Sequence, residues 1–351
     1  MKIEEVLREL SESSGVSGYE TEARAIAQRL FAAHAHEVRT DALGNLIALR
    51  RGEPPAGAPR RSIMLAAHVD EIGLMVTGVE QGFLRFTRVG GVDVRTIVGQ
   101  EVVVHGRRPL PGIVASLPPH VLSEAERQAV IPLDKLFIDV GLPEDRVAEL
   151  VAVGDLVTMR REMVILAEGY LSGKAFDDRA GVVALALCLE QLAAMRHEWD
   201  VYAVATTQEE VGLRGAIVSA YGTAPDAAIA VDVGFGAQQG LSEAETIAMD
   251  GGPALCMGPS MHPLLYKRLA DTAKAHEVTH QFEVAAGASG TDAWGIAVTR
   301  QGVPTALLSI PLRYMHTTVE TVCVRDIERT ARLMALTIAG LDQAFAMELG
   351  L

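Results

Sequence analysis

RSIMLAAHVDEIGLMV, residues 61–76, is a nearly continuous apolar run that follows a polar, proline-rich loop over residues 51–60. Such a run, without alternation of polar and apolar residues, is typical of a central strand that is covered on both faces. Helical periodicity over residues 3–33 precedes it, with a break at residues 14–20, where Ser17 or Gly18 is expected to cap the second helix. The run therefore predicts the start of an α/β core.

The same α/β pattern returns from residue 166 to the end of the chain. Helical and strand patterns alternate there, which predicts a mostly parallel sheet with helices on both sides. The predicted helices cover residues 181–195, 215–222, 262–277 and 324–345, and the predicted strands cover residues 200–207, 227–233 and 304–311.

Between these two parts the sequence has a different character. Short β-rich pieces separated by Gly, Pro and Asp turns cover residues 83–89, 101–106, 112–116, 136–140 and 155–160. This pattern predicts a small all-β domain inserted into the larger one. The expected division is a discontinuous domain of residues 1–72 and 163–351, with an insert of residues 73–162.

Composition limits the classes of function. The net charge of −14 disfavours nucleic acid and anionic membranes as partners, because both would repel the protein. No apolar stretch reaches the roughly 18 residues of a membrane span, and the charged N-terminus does not have the pattern of a signal peptide, so a cytoplasmic protein is expected. The three cysteines are far apart in apolar surroundings, which favours reduced, buried thiols.

Titratable residues follow the predicted strands at the ends where those strands stop. Ligands bind outside the carboxyl ends of strands in open α/β sheets, so these residues are expected to lie together. Histidine and carboxylate in one place are the composition of a zinc, cobalt or manganese site. The residues at strand ends are His68, Asp70, Glu209, Glu210, Asp232 and His316, and Asp177 and Asp178 open a predicted helix.

Five of these residues are candidate metal ligands, which is more than one ion needs. The surplus indicates two metals roughly 3.5–4 Å apart, bridged by a carboxylate and a water or hydroxide. Simpler explanations exist for single residues, since Asp177 and Asp178 could cap the helix that begins at Arg179. Their joint placement favours the metal site. The candidate ligands are His68, Asp177, Glu210, Asp232 and His316.

Six motifs in this order closely resemble those of the tetrahedral-shell (TET) aminopeptidases, the glutamyl aminopeptidase family of dinuclear metallopeptidases. The motifs are HVDEIG (68–73), AFDDRAG (175–181), QEEVGLRGA (208–216), VDVG (231–234), SGTDA (289–293) and SIPLRYMHTTVETV (309–322). The resemblance covers almost the whole chain. It implies a zinc-peptidase-type mixed sheet flanked by helices, and a PDZ-like all-β insert used in assembly of a homo-oligomer, such as a tetrahedral dodecamer.

The resemblance also implies roles for single residues. His68 and Asp232 would bind one metal, Glu210 and His316 the other, and Asp177 would bridge them. Glu209 would be the general base and Asp70 would orient the imidazole of His68, which fits the usual partnership of a ligating histidine with a carboxylate. The loop that contains Thr291 and Asp292 would lie near the substrate.

These observations predict an aminopeptidase that removes the N-terminal residue of short peptides with two divalent metals: zinc, or alternatively cobalt or manganese. A two-metal deacylase or amidohydrolase of N-acyl amino acids and a non-catalytic, metal-stabilised scaffold are the alternatives. The segment after Asp232, VDVGFGAQQGLSEAETIAMDGGPAL (231–255), departs from the family pattern. The preferred N-terminal residue therefore stays open.

Overall fold

The computed structural model describes all residues from Met1 to Leu351. An eight-stranded mixed sheet forms the centre of the larger domain, in the order β1-β2-β12-β3-β13-β16-β14-β15. The four strands β12, β3, β13 and β16 at its centre are parallel, whereas β1, β2 and β14 add antiparallel pairings toward the edges. The strands are β1 (Glu37–Thr40), β2 (Leu46–Arg50), β3 (Ser62–His68), β12 (Asp200–Thr206), β13 (Ala227–Phe235), β14 (Ala254–Met257), β15 (Gln281–Val284) and β16 (Thr305–Leu312).

Helices cover both faces of this sheet, but unequally. One face carries α1, α2, α6, α8 and α10 over a core of 53 buried residues, and the other carries α7 and α9 over a core of 14. The helix α6 lies at the centre of the larger face, and all but two of its 17 residues are buried. The larger-domain helices are α1 (Ile3–Glu12), α2 (Thr21–Ala32), α6 (Phe176–Leu192), α7 (Arg214–Thr223), α8 (Pro263–Ala275), α9 (Asp292–Ala297), α10 (Val324–Ala339) and α11 (Gln343–Glu348).

A closed barrel of six antiparallel strands forms a second, smaller unit with its own core of 16 buried residues. Three short helices accompany it: α3 (Val94–Ile97), α4 (Glu124–Gln128) and α5 (Glu144–Leu150). The barrel strands are β4 (Gly73–Glu80), β5 (Phe83–Val89), β6 (Glu101–His105), β7 (Pro109–Ala115), β8 (Phe137–Asp139) and β9 (Leu156–Met159). The mixed sheet flanked by helices and the separate all-β unit confirm the predicted fold class at this level.

A small antiparallel sheet pairs the segment that follows the barrel with the segment that follows His316. It has the order β10-β11-β17, with β10 (Val164–Ile165), β11 (Tyr170–Gly173) and β17 (Glu320–Cys323). Because β11 runs into α6 and β17 follows the His316 loop, this sheet brings the two loops together.

Two local predictions were wrong. The single closing helix expected over residues 324–345 ends at Ala339, and Asp342 begins α11 by accepting a hydrogen bond from the backbone amide of Phe345. The second helix is not capped by Ser17 or Gly18, because its N-cap is Glu20 and the Ser17 hydroxyl donates to Asp70 instead. No helix combines the length and apolar character that a membrane crossing requires.

Candidate metal centre

Most of the predicted residues lie at or just after the carboxyl ends of the four parallel strands. His68, the last residue of β3, is paired in register with Thr206 at the end of β12, and Asp232 in β13 is paired with Ser309 in β16. The two glutamates follow β12 and His316 follows β16 by a few residues. The carboxyl ends of the strands therefore converge as expected.

Asp177 lies between the two histidines. Its Oδ1 is 3.0 Å from Nε2 of His68, and its Oδ2 is 3.3 Å from Nε2 of His316. The same Nε2 atom of His316 is 3.5 Å from Oε1 of Glu210. One carboxylate with each oxygen turned to a different imidazole has the arrangement of a bridging ligand.

Asp177 and Asp178 begin α6 with backbone angles outside the helical range. Asp177 has an extended backbone with φ −75° and ψ 103°, and its peptide bond to Asp178 is cis. Asp178 accepts a hydrogen bond from the backbone amide of Gly181, so Asp178 fulfils the capping role that the sequence left open for both. The carboxylate of Asp177 is therefore free to bind a metal ion.

Two sets of side chains have donor atoms within 4.8 Å of one another. One set is His68, Asp178 and Asp232, and the other is His68, Asp177 and Glu210, whereas His316, a predicted ligand, belongs to neither set. Asp178, which sequence analysis did not place among the ligands, also accepts a hydrogen bond from the backbone amide of His68 at 3.3 Å. Imidazole and carboxylate donors of this kind suit zinc, cobalt or manganese.

Asp70 contacts three of the predicted site residues: His68, Glu209 and Glu210. Its carboxylate lies 3.6 Å from Nδ1 of His68, whose shorter contact, 3.2 Å, is with the backbone carbonyl of Asp70. The carboxylate also accepts hydrogen bonds from the backbone amides of Glu209 at 3.0 Å and Glu210 at 3.2 Å, and from the Ser17 hydroxyl at 2.6 Å. Asp70 thus fixes the two glutamates as well as the histidine.

Glu209 is not part of either set of candidate ligands. Its side chain is 9% exposed in the wall of the cleft, with Oε2 at 4.0 Å from Nε2 of His68. Burial raises the pKa of Glu209 to about 10, and although His68 opposes the shift, the carboxylate of Asp232 adds to it. A buried carboxyl group beside the histidine is placed to exchange protons.

The remaining carboxyl groups crowd one another. Burial, reinforced by Asp177, raises the pKa of Glu210 to about 7, and burial raises the pKa of Asp232 well above its ordinary value. The hydrogen bond to Asp177 raises the pKa of His316 to about 9. A divalent cation reverses this pattern, because it favours ionised carboxylates and neutral imidazoles. The donor set therefore fits metal ions.

Glu320 braces the two loops that carry Asp177 and His316. Its buried carboxylate accepts hydrogen bonds from the backbone amides of Phe176 and Asp177 at 2.7 and 3.2 Å, and from that of His316 at 2.9 Å. Burial raises the pKa of Glu320 well above its ordinary value, although these amides oppose the shift. Glu320 lies four residues after His316 in the chain, and nothing in its residue type indicates this role.

Glu71, Lys174 and Arg179 form a buried cluster of one carboxylate and two cations. Glu71 accepts from Lys174 at 2.7 Å and from Arg179 at 3.2 Å, and these two cations flank the pair of aspartates in the chain. The Arg179 guanidinium also donates to backbone carbonyls at the end of α1. Buried charges that are paired and fully hydrogen-bonded hold a defined geometry.

The barrel contributes to the site as well. The loop after β5 places Gly91 so close to His316 that a Cβ atom on Gly91 would lie 2.6 Å from Nδ1 and 2.8 Å from Cε1 of the ring. Glycine at this position therefore lets the barrel pack directly behind the imidazole.

Gly91→Ala is expected to displace His316 and lower kcat/KM by about 100-fold, because small misplacements of catalytic groups have effects of that order. Steady-state kinetics with an aminoacyl nitroanilide measures this change. Gly78→Ala is the matched control, since its Cβ would have 3.9 Å to the nearest atom, Cβ of Arg85. Equal activity of the two variants would show that the contact with Gly91 does not position the imidazole.

A cleft of about 860 Å³ is lined by the five predicted ligands and the predicted base: His68, Asp177, Glu209, Glu210, Asp232 and His316. Thr291, one of the two residues expected near the substrate, lines it. Asp292 does not, because it is 1% exposed and accepts a hydrogen bond from the Thr206 hydroxyl beneath the floor. The end of β13 and the segment after it supply part of the wall, with Phe235 and Ile247 respectively.

Known proteins resemble this chain over nearly its full length. It is 36% identical to the lysyl aminopeptidase of Pyrococcus furiosus, with 94% of each chain covered, and 31% identical to the glutamyl aminopeptidase of Lactococcus lactis, with 90% of each covered. The TET aminopeptidase of a marine-sediment archaeon, Thaumarchaeota archaeon SCGC AB-539-E09, superposes with a TM-score of 0.92 at 32% identity, covering 99% of this chain and 98% of that one. Pyrococcus horikoshii TET1 peptidase, which can assemble into a tetrahedron or a large octahedral shell, gives 0.85 at 32% identity, covering 97% and 100%.

The sequence model of the M42 glutamyl aminopeptidase family matches residues 44–333. This range includes every residue of the two candidate ligand sets, Glu209 and the whole barrel. The family resemblance inferred from the sequence motifs is confirmed, and the chain belongs to the M42 glutamyl aminopeptidase family.

Proposed function

We propose that this protein is an aminopeptidase that uses two divalent metal ions to remove the N-terminal residue from short peptides. The observation that carries the proposal is the position of Asp177, with one oxygen toward His68 and the other toward His316, while the carboxyl group of Glu209 lies 4.0 Å from the imidazole of His68. Membership of the M42 family supports it.

His68 and Asp232 would hold one ion, Glu210 and His316 the other, and Asp177 both. When bound, the two ions would polarise the scissile carbonyl and lower the pKa of a water molecule. Zinc is the proposed ion, with cobalt and manganese as alternatives that accept the same donors. The closeness of Asp178 to Asp232 supports a role for Asp178 in orienting that ligand.

Glu209 performs the proton transfers. It takes a proton from the attacking water as the new oxygen–carbon bond forms, and it delivers that proton to the peptide nitrogen as the carbon–nitrogen bond breaks. The products are a free amino acid and a peptide shortened by one residue. Asp70 keeps Glu209 in reach of the water through the backbone hydrogen bond between them.

We further propose that residues 1–72 and 163–351 form the catalytic domain and that the PDZ-like insert, residues 73–162, serves in assembly. Apolar side chains exposed on the insert support this role, among them Leu117, Val121 and Val130, which are 53–65% exposed. The shell formed by the P. horikoshii relative supports a homo-oligomer, with a tetrahedral dodecamer as its specific form.

A deacylase of N-acyl amino acids would use the same donors, so substrate chemistry separates the alternatives. We expect the protein reloaded with zinc, cobalt or manganese to cleave leucine nitroanilide and not N-acetyl-leucine, and to lose activity in a chelator. Cleavage of N-acetyl-leucine alone would establish the deacylase. Metal binding without any hydrolysis would favour the scaffold.

A further inference from the structure

The names of related enzymes do not decide which N-terminal residue this protein prefers, because one is named for lysine and another for glutamate. The cleft itself carries information on this point. Its lining includes no lysine or arginine, although it includes several carboxylates besides the candidate ligands and Glu209. An acidic N-terminal side chain would find no cationic partner there.

One of these carboxylates belongs to Glu283 on the edge strand β15. Its Oε1 accepts a hydrogen bond from the Ser309 hydroxyl at 2.7 Å, the thiol of Cys256 is a further neighbour of the carboxyl group, and Oε2 reaches over Gly234. A Cβ atom on Gly234 would lie 3.0 Å from Oε2. The absence of a side chain at residue 234 therefore makes room for the Glu283 carboxylate.

Gly234 locates this carboxylate relative to the reaction centre. It follows Asp232 by two residues in β13, so it is on the same face of the sheet, roughly 6.8 Å farther along the strand. Glu283 is half-buried, whereas Glu243 and Glu245 at the rim are exposed. Oε2 of Glu283 thus lies beside the strand that carries a candidate metal ligand, and it is less exposed than the glutamates at the rim.

The surrounding wall is apolar. Phe235 and Trp294, which are 55% and 46% exposed, line the same cleft together with the buried Ile247. Lysine and arginine pack their methylene groups along apolar surface and keep the charged end on a polar partner. A wall of aromatic and aliphatic groups that leads to one half-buried carboxylate suits such a side chain.

We infer that the cleft selects peptides whose N-terminal residue is lysine or arginine, with Glu283 as the group that receives the cationic end of the side chain. This inference rests on the proposed aminopeptidase function and adds the substrate class. The ammonium or guanidinium donates to Oε2 of Glu283, and the peptide bond to be cleaved lies at Glu209. Hydrogen bonds that involve charged groups are among the stronger ones in proteins.

The test compares lysine and norleucine nitroanilides, because norleucine keeps the carbon chain of lysine and lacks its ammonium group. We expect kcat/KM for lysine to exceed that for norleucine by roughly 10- to 100-fold, and glutamate nitroanilide to be the poorest substrate. Glu283→Gln keeps the shape and the acceptor for Ser309, and should reduce the lysine-to-norleucine ratio by roughly tenfold or more. Glu124→Gln, an exposed carboxylate on the barrel, should leave the ratio unchanged.

A wild-type ratio of one or less, or an unchanged ratio in Glu283→Gln, would overturn the assignment of Glu283. The lysine-to-norleucine ratio can be measured only if the protein is active. The experiment therefore tests the substrate preference and the aminopeptidase activity separately. Turnover of norleucine without preference for lysine contradicts only the substrate class, whereas no turnover of any aminoacyl nitroanilide with metals supplied contradicts the aminopeptidase itself.

Discussion

Glu209→Gln is expected to lower kcat by about 10²- to 10⁴-fold while the protein still binds two metal ions per chain. Glutamine has the shape of glutamate but cannot take a proton from water at neutral pH. Glu209 is proposed as the base and not as a ligand, so its replacement is expected to leave the metal donors in place. Steady-state kinetics together with elemental analysis of the desalted protein measures both quantities.

The two measurements are needed together. Loss of activity with loss of metal would place Glu209 among the ligands, and activity within about tenfold of wild type would exclude it as the base. The Asp70 carboxylate accepts a hydrogen bond from the backbone amide of Glu209 and not from its side chain. The loop that carries Glu209 is therefore expected to keep its position in Glu209→Gln.

Asp177→Ala should have the opposite signature, with loss of both metal and activity. Asp177 is the one carboxylate placed between the two imidazoles, so its removal weakens both sites at once. Groups one step removed from a metal already contribute about 10- to 100-fold, so we expect kcat/KM to fall by well over 100-fold. Metal content after dialysis against a weak chelator measures the loss of binding.

His316→Ala should also lose metal, since His316 faces both Asp177 and Glu210. His34→Ala is the control, because this histidine does not line the cleft and should retain two ions. Two ions per chain in Asp177→Ala would contradict the proposed ligand set.

The sequence predicted the elements whose pattern is strong on its own. The buried strand that ends at His68 and the alternation of helices and strands after residue 166 identify the sheet, and the rule for its carboxyl edge then gathers His68, Glu209 and Asp232. The short strands β14 and β15 escaped prediction, because four residues at a sheet edge have little pattern without their neighbours.

The supporting contacts could not be read from residue types. Glu320 and Asp70 act on backbone amides, and such partners leave no mark in the sequence. The function of Ser17 depends on a loop that returns to the end of β3, and that of Gly91 on contact between two units far apart in the chain. Each of these contacts follows from the three-dimensional path of the chain.

The packing of Gly91 against His316 limits how freely the barrel can be exchanged. A chimaera that takes its barrel from another protein inherits whatever residue stands at this position, and a side chain there would press on the imidazole even if the new barrel folded well. Gly90 imposes a similar condition, because its Cβ would lie 2.8 Å from the Ile72 side chain. Any exchange of the barrel therefore has to transfer the glycine pair along with the strands.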